Sequence, residues 1–378
     1  MRKYFLIFSF LIFLISACSD GTIPTAVEPL IELQAKYITD RPVVDGVLDE
    51  EDWQETQSYL VHIGERDVKT GQTIGGFNLE MKALWWQDWG FNAVWTEQSY
   101  VAISLTWPDD DKNMEKTSWT YNPTDSSWTL QNIGSDWFLI SWISSSSEGK
   151  TDLWYWDAAI TNPIGYMEDQ YIETFDVNDQ EISRFNVDGL RFLNDVEYQN
   201  NCWDINYNDN NTPRDSTDDF PMKAWRFDPQ QTNPTLPRIY TEESERNKLL
   251  LAQDSEFMVD PNTAPFSALT EPITIPGYIL EDPNNSSADI MAAGKWKDGF
   301  WTVELVRACK VQSGSDDEYD ITFNTDDRYG QYVMKLIVGD KSTPALTQQL
   351  SSDTQSDLMQ WINTVYLTFE FIGEYKGD

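Results

Sequence analysis

The chain has 378 residues, with 26 Lys+Arg against 63 Asp+Glu, a formal charge of −37 and a pI near 4.1. Such a field repels phosphate backbones and anionic headgroups, which sets nucleic-acid binding aside. A single histidine, His62, cannot furnish a His-rich zinc site or a bis-His haem, while 14% aromatic residues give the chain a core to bury.

Arg2 and Lys3 precede an apolar run from Tyr4 to Ile15 that is too short to span a bilayer and ends Ile15-Ser16-Ala17-Cys18. This ending is similar to a bacterial lipobox. The resemblance implies a signal peptide over residues 1–17, acylation of Cys18 and a tether to a lipid bilayer outside the cytoplasm, several acyl chains being what makes such an anchor stable. Ser19 after the cysteine points to the outer membrane under the common sorting convention for lipoproteins. Residues 18–36, with Pro24 and Pro29, read as a spacer, and residues 37–378 as one domain.

Strand periodicity follows. Leu79, Met81, Ala83 and Trp85 alternate with Glu80, Lys82 and Leu84, and Val101, Ile103 and Leu105 with Ala102, Ser104 and Thr106. Trp301, Val303 and Leu305 repeat the pattern, as do Val365, Leu367, Phe369 and Phe371. Asp45-Gly46, Gly75-Gly76, Asp188-Gly189 and Asp298-Gly299 are turn signals between such runs. No comparable stretch holds a helical period, so the expected fold is all-β, an antiparallel β-sandwich. From about residue 163 to 276, clusters of asparagine, aspartate and proline predict a long loop-rich insertion, a feature that usually serves a function or is ordered by something else. One short helix is expected over 246–253.

Four groups of residues carry candidate chemistry. Cys202 and Cys309 stand in a compartment that permits a disulfide, which would close a loop of roughly 100 residues and contribute roughly 4–5 kcal/mol; the alternative is two separate buried thiols. Asp204, Asn206, Asn208 and Asp209 offer oxygen ligands at the alternating spacing of a calcium loop, without its glycine at the sixth position or its glutamate at the twelfth. Trp85, Trp86, Trp89, Trp95 and Trp107 crowd two neighbouring strands and their turn, and exposed indoles are platforms for sugar rings, although adjacency sends Trp85 and Trp86 to opposite faces of a strand. His62 has no nucleophile motif near it, and no enzyme activity is predicted.

The opening Val44-Asp45-Gly46-Val47-Leu48-Asp49-Glu50-Glu51-Asp52-Trp53 resembles that of two extracytoplasmic sandwich groups. One is the family 9 carbohydrate-binding modules. The other is the haem-binding domain of ethylbenzene dehydrogenase and related subunits of the dimethyl sulfoxide reductase class. Asp152-Leu153-Trp154-Tyr155-Trp156, the passage Asn162-Pro163-Ile164-Gly165-Tyr166-Met167-Glu168-Asp169 and the strand Trp296 to Arg307 are similar to the second group, in the family's order. That resemblance implies a b-type haem held by two axial side chains and electron transfer to a partner protein. One axial position, a methionine in the family, falls at Ser141, beside Trp142. The other falls in or after 329–336, where Met334 and Lys335 are the donors at hand; Met167 is a further candidate, and Trp154 and Trp156 share a face that would line a haem pocket or a sugar groove. The alternatives are a carbohydrate-binding module or a ligand-free surface scaffold.

Overall fold

The computed structural model describes residues 31–66, 73–89, 97–131, 133–144, 150–177, 180–187, 203–208, 219–225, 249–252, 255, 258–261, 266, 271–281, 289–310, 320–325, 331–342 and 360–372. Cys18, Trp95, Cys202 and Asp209 lie outside them, as do the side chains of Trp89, Asp204 and Lys335.

The first strands are β1 (Ile31–Tyr37), β2 (Tyr59–Arg66), β3 (Thr73–Trp89) and β4 (Glu97–Pro108), with the short helix α1 (Glu51–Glu55) before β2. The hairpin β5 (Ser118–Asn122) and β6 (Ser127–Gln131) leads into β7 (Ser135–Ser144) and β8 (Lys150–Asp157). After a 3-10 turn at Asn162–Ile164 come β9 (Glu168–Val177) and β10 (Gln180–Val187). The short strands β11 (Trp203–Ile205), β12 (Ala224–Trp225), β13 (Met258–Val259), β14 (Ile273–Pro276) and β15 (Tyr278–Leu280) follow. The chain closes with β16 (Ile290–Lys297), β17 (Phe300–Ala308), β18 (Gln331–Ser342) and β19 (Gln360–Ile372).

The fold is all-β and sandwich-like. One 12-stranded sheet runs β10-β9-β8-β7-β18-β19-β1-β3-β4-β17-β16, with β2 bridging β19 and β3. It folds over on itself: Trp107 of β4 meets Phe138 of β7 and Trp156 of β8 with ring centroids 5.8 and 6.0 Å apart, and Trp156 meets Trp301 of β17 at 5.2 Å. The period-two runs explain this, because every second residue of β3, β4, β7, β8, β17 and β18 faces a shared interior. The other faces are covered too. Trp137, Leu139, Leu153 and Tyr155 pack against Leu251 of the insertion and Leu280 of β15, while Leu84, Trp86, Ala102 and Val306 lie beneath Ile38 and Trp53.

Several expectations are corrected. The sheet is not wholly antiparallel, since β1 pairs in parallel with both β19 and β3, and so residues 31–36 belong to the sheet and not to a spacer. Gly75-Gly76 lies inside β3, where a side chain at residue 76 would meet the Ile63 carbonyl, and is not a turn. The insertion opens with sheet, as β9 and β10 extend the ladder beyond β8. Of the helix expected over 246–253, residues 249–252 are described; they form no α-helix, and Leu251 instead bridges to Leu280.

The sequence blocks have structural roles. Asp298 and Gly299, with φ of 54° and 84°, make the two-residue turn joining β16 to β17. Asn162 clamps the outer strand β16: the Gly294 N–H donates to its Oδ1 at 2.6 Å and its Nδ2 donates to the Gly294 carbonyl at 3.1 Å. The buried Glu304 of β17 receives the N–H groups of Asp45 and Gly46 at 3.1 and 2.8 Å and the Trp53 indole N–H at 2.8 Å. Burial pushes the Glu304 carboxyl up to about 7, against the pull of those backbone donors. Glu304→Ala is expected to cost about 1–3 kcal/mol, because it strands buried donors and unpins the Asp45–Trp53 layer. A fall in the urea midpoint checks this.

Candidate functional site

Two buried ionic clusters stand out, on opposite faces of β8. The first lies inside the folded sheet. Alternation sends Asp152, Trp154 and Trp156 inward, and Arg307 continues the inward series of Trp301, Val303 and Leu305. The Arg307 guanidinium, fully buried, lies 3.1 Å from Asp152 Oδ2 and 3.7 Å from Asp169 Oδ2, makes a close pair with Asp320, and covers the Trp154 ring at 5.2 Å. Oxygens of Asp152, Asp169 and Asp320 come within 4.8 Å of one another. Burial raises the Asp152 carboxyl, and pushes Asp320 up to about 7, with Arg307 opposing in both cases. Burial by itself would lower the Arg307 guanidinium, but the three aspartates hold it raised.

The second cluster faces the insertion. Lys116 Nζ donates to Asp157 Oδ2 at 2.7 Å and to the Tyr155 hydroxyl at 2.9 Å. Tyr155 donates to Asp157 at 2.6 Å, and Ser135 Oγ and the Ala159 and Ile160 N–H groups complete the carboxylate's partners. Burial, then the Asp157 charge, raises the Tyr155 hydroxyl well above its ordinary value, so it remains a donor. Every charge here has a partner. Such a network sets geometry more than it performs chemistry.

The positions considered as haem ligands do not converge. Met334 is fully buried in the interior, paired in register with Trp142. Lys335 is paired with Ser141. Directly opposed strand positions lie about 5 Å apart, too close to stand on opposite faces of one porphyrin. Met167 is buried as well, but its N–H pairs with the Ile290 carbonyl at 2.9 Å and it stands level with Trp156. Met334 is level with Trp142 and Asp152, four strand residues away, or about 13 Å. Of the positions considered, the described residues therefore bring Met334 to the charged end of the interior, where the Cys309 thiol also lies. Beside Met334, Trp142 meets Trp154 and Phe323 at 5.2 Å each, and Phe323 meets Tyr332 at 5.1 Å. The Trp142 indole N–H is buried with no acceptor among the described residues.

The other candidates are placed otherwise than expected. Trp85 is buried and donates to the Ile372 carbonyl at 3.0 Å, Trp86 is buried and stacked on Tyr100, and Trp107, Trp154 and Trp156 fill the interior, so none is an exposed sugar platform. Asn206 uses its amide on backbone, donating to the Lys223 and Pro276 carbonyls and accepting the Lys223 N–H; Asn208 pairs through its backbone with Phe220. Cys309 carries a free thiol in the core, pushed up to about 12 by burial, in place of the disulfide considered for it. His62 is exposed, with Nδ1 3.2 Å from Asn78 Oδ1.

Asp152, Asp169 and Arg307 were legible as fixed letters of the three sequence blocks, but not as partners. Asp320, Lys116 and Asp157 carried no signal. No curated protein matches the chain. A family profile described as ethylbenzene dehydrogenase matches residues 141–331, half of the chain, and takes in the end of β7, all of β8, the Asn162 clamp and the whole Arg307 cluster. The chain belongs to the ethylbenzene dehydrogenase family.

Proposed function

We propose that the chain is a lipid-anchored, extracytoplasmic accessory subunit of this family that takes a b-type haem at Met334 and exchanges electrons with a partner protein. The observation that carries the reading is the setting of Met334: a fully buried thioether on the interior face, opposite Trp142, whose indole donor has no described acceptor. A soft sulfur beside an unsatisfied buried donor suits a cofactor that brings both a metal and acceptor atoms. Met334 would hold the iron, and Trp142, Trp154 and Phe323 would form the apolar wall. The haem would supply one-electron chemistry. Ser141 offers iron no comparable donor, so among the described candidates Met334 would be the residue that holds it. The anchor rests on the segment from Arg2 to Cys18.

The test is an absorption spectrum of the purified chain after incubation with haem. A Soret band that weakens or shifts in Met334→Leu is expected. A colourless wild-type chain overturns the reading, as does a band indifferent to Met334. A second reading, a ligand-free scaffold, is favoured by the pairing of Ser141 with Lys335 and by the interior filled with Trp107, Trp156 and Trp301, and a colourless chain is its outcome.

A further inference from the structure

Trp301 of β17 belongs to a series of indoles that runs through the interior. It is fully buried, with the Trp156 ring at 5.2 Å and the Trp107 ring at 6.4 Å, and Trp107 and Trp156 meet each other at 6.0 Å. The series continues in both directions. Trp154 lies two residues before Trp156 on the same face of β8, about 6.5 Å along the strand, and meets Trp142, the partner of Met334, at 5.2 Å. Towards solvent, Trp296 is matched to Trp301 across the β16–β17 hairpin, packs on the same core and is half-buried, so it brings the series to the surface. Gly294 fixes the geometry: a side chain there would stand 2.4 Å from the Trp156 ring, so that ring lies directly on the strand that Asn162 clamps.

The partner of the Trp301 indole is a base. Trp85, Trp119 and Trp296 donate their N–H groups to backbone carbonyls, whereas Trp301 donates to Asp136 Oδ2 at 2.9 Å, and Asp136 is itself fully buried. The Asn113 N–H donates to the same oxygen at 2.8 Å and Asn113 Nδ2 to Oδ1 at 3.2 Å, an arrangement that suits an ionised carboxylate, an acceptor at both oxygens. An indole that loses an electron becomes a cation with an acidic N–H. Buried, such a cation is costly, and a carboxylate in hydrogen-bond contact relieves it by taking the proton. Trp53 also donates to a buried carboxylate, Glu304, but it lies in the outer layer and has no ring contact with the series among the described residues.

We propose that Trp301 is a redox-active indole, fed through the tryptophan series, with Asp136 as its proton acceptor. It gives one electron to a strong one-electron oxidant, of the class that hydrogen peroxide generates at a redox-active metal. As the electron leaves, the indole N–H bond breaks and an O–H bond forms on Asp136, so that a neutral radical remains and no cation is left in the interior. The oxidant is reduced by one electron. A one-electron reductant in solution restores the indole through Trp296, and the proton returns from Asp136 to the nitrogen. The series thereby draws an oxidising equivalent away from the Met334 end of the interior and discharges it at the β16–β17 hairpin. The inference concerns these side chains alone and does not depend on haem.

Flash oxidation of the full chain, without haem, by a photogenerated ruthenium(III) polypyridyl tests it, with the radical followed by transient absorption and by electron paramagnetic resonance of freeze-trapped samples. The wild type is expected to settle as a long-lived neutral indolyl radical. Trp301→Phe, which keeps an aromatic ring in the core, is expected to lose that signal, while Trp53→Phe retains it. In Asp136→Asn the signal is expected to become that of a shorter-lived indole radical cation, a change of spectrum that lost packing alone does not produce. Trp296→Phe, at the surface, is expected to slow the build-up. Four outcomes overturn the proposal: a long-lived signal unchanged in Trp301→Phe, a neutral radical persisting in Asp136→Asn, an unchanged build-up in Trp296→Phe, or a wild-type oxidising equivalent that settles on tyrosine. Should Asp136→Asn fail to fold, the nitrogen hyperfine pattern of the wild-type radical decides, since it separates a deprotonated indole from a protonated one.

Discussion

Arg307→Met is expected to cost at least about 3–5 kcal/mol, and to leave the domain largely unfolded at neutral pH, because it takes from the buried Asp152 and Asp320 the guanidinium that both pair with. The sign of its pH dependence separates this from a packing defect. Carboxylates freed of their guanidinium take up protons readily, so acid neutralises the cluster. The difference between variant and wild type should therefore shrink from pH 7.5 to pH 5. Urea denaturation at both pH values measures it. A deficit unchanged by pH would mean that the arginine's bulk, and not its charge, holds this end of the sandwich.

Asp157→Asn is expected to be nearly as damaging, at about 3–5 kcal/mol, through the opposite charge. Lys116 Nζ has Asp157 at 2.7 Å, with both side chains almost wholly inaccessible, and no other carboxylate is paired with that ammonium among the described residues. An amide in its place leaves a buried cation facing the Tyr155 hydroxyl alone. Replacing both partners, as Lys116→Met with Asp157→Leu, removes the stranded charge and should recover part of the loss, though Ser135 and the Ala159 and Ile160 amides would still lack their acceptor. A double-mutant cycle read by denaturation checks both halves. A double variant worse than the sum of the singles would sink the argument from unpaired charge.

How much of this was legible depended on whether the signal was local. Period-two alternation located β3, β4, β17 and β19 and the fold class, because it is a property of consecutive residues. The strand β1 escaped since it follows a proline-bearing segment and its partners are more than forty residues away in β3 and at the far end in β19. Tryptophan burial was half visible. Adjacency placed Trp85 and Trp86 on opposite faces, yet both are covered, because the layer of Ile38 and Trp53 over the outer face is a tertiary fact. The amide of Asn206 looked like a metal ligand by spacing and proves to be a backbone clamp, which only the approach of Lys223 and Pro276 reveals. The Arg307 cluster joins β8, β9, β17 and the 320–325 segment, and it exists because the sheet folds over; no window of sequence contains that event.

The parallel seat of β1 between β19 and β3 has a consequence for biogenesis. Ile31 is matched to Leu367 and Ala35 to Ala83, so the first described strand completes its ladder only with the last described one. Until residues 360–372 emerge, β1 and β18 each present an open rim of amides and carbonyls, the surface through which nascent β proteins misassociate. A chain ending before β19 should accordingly accumulate as aggregate and not as a shortened, soluble domain.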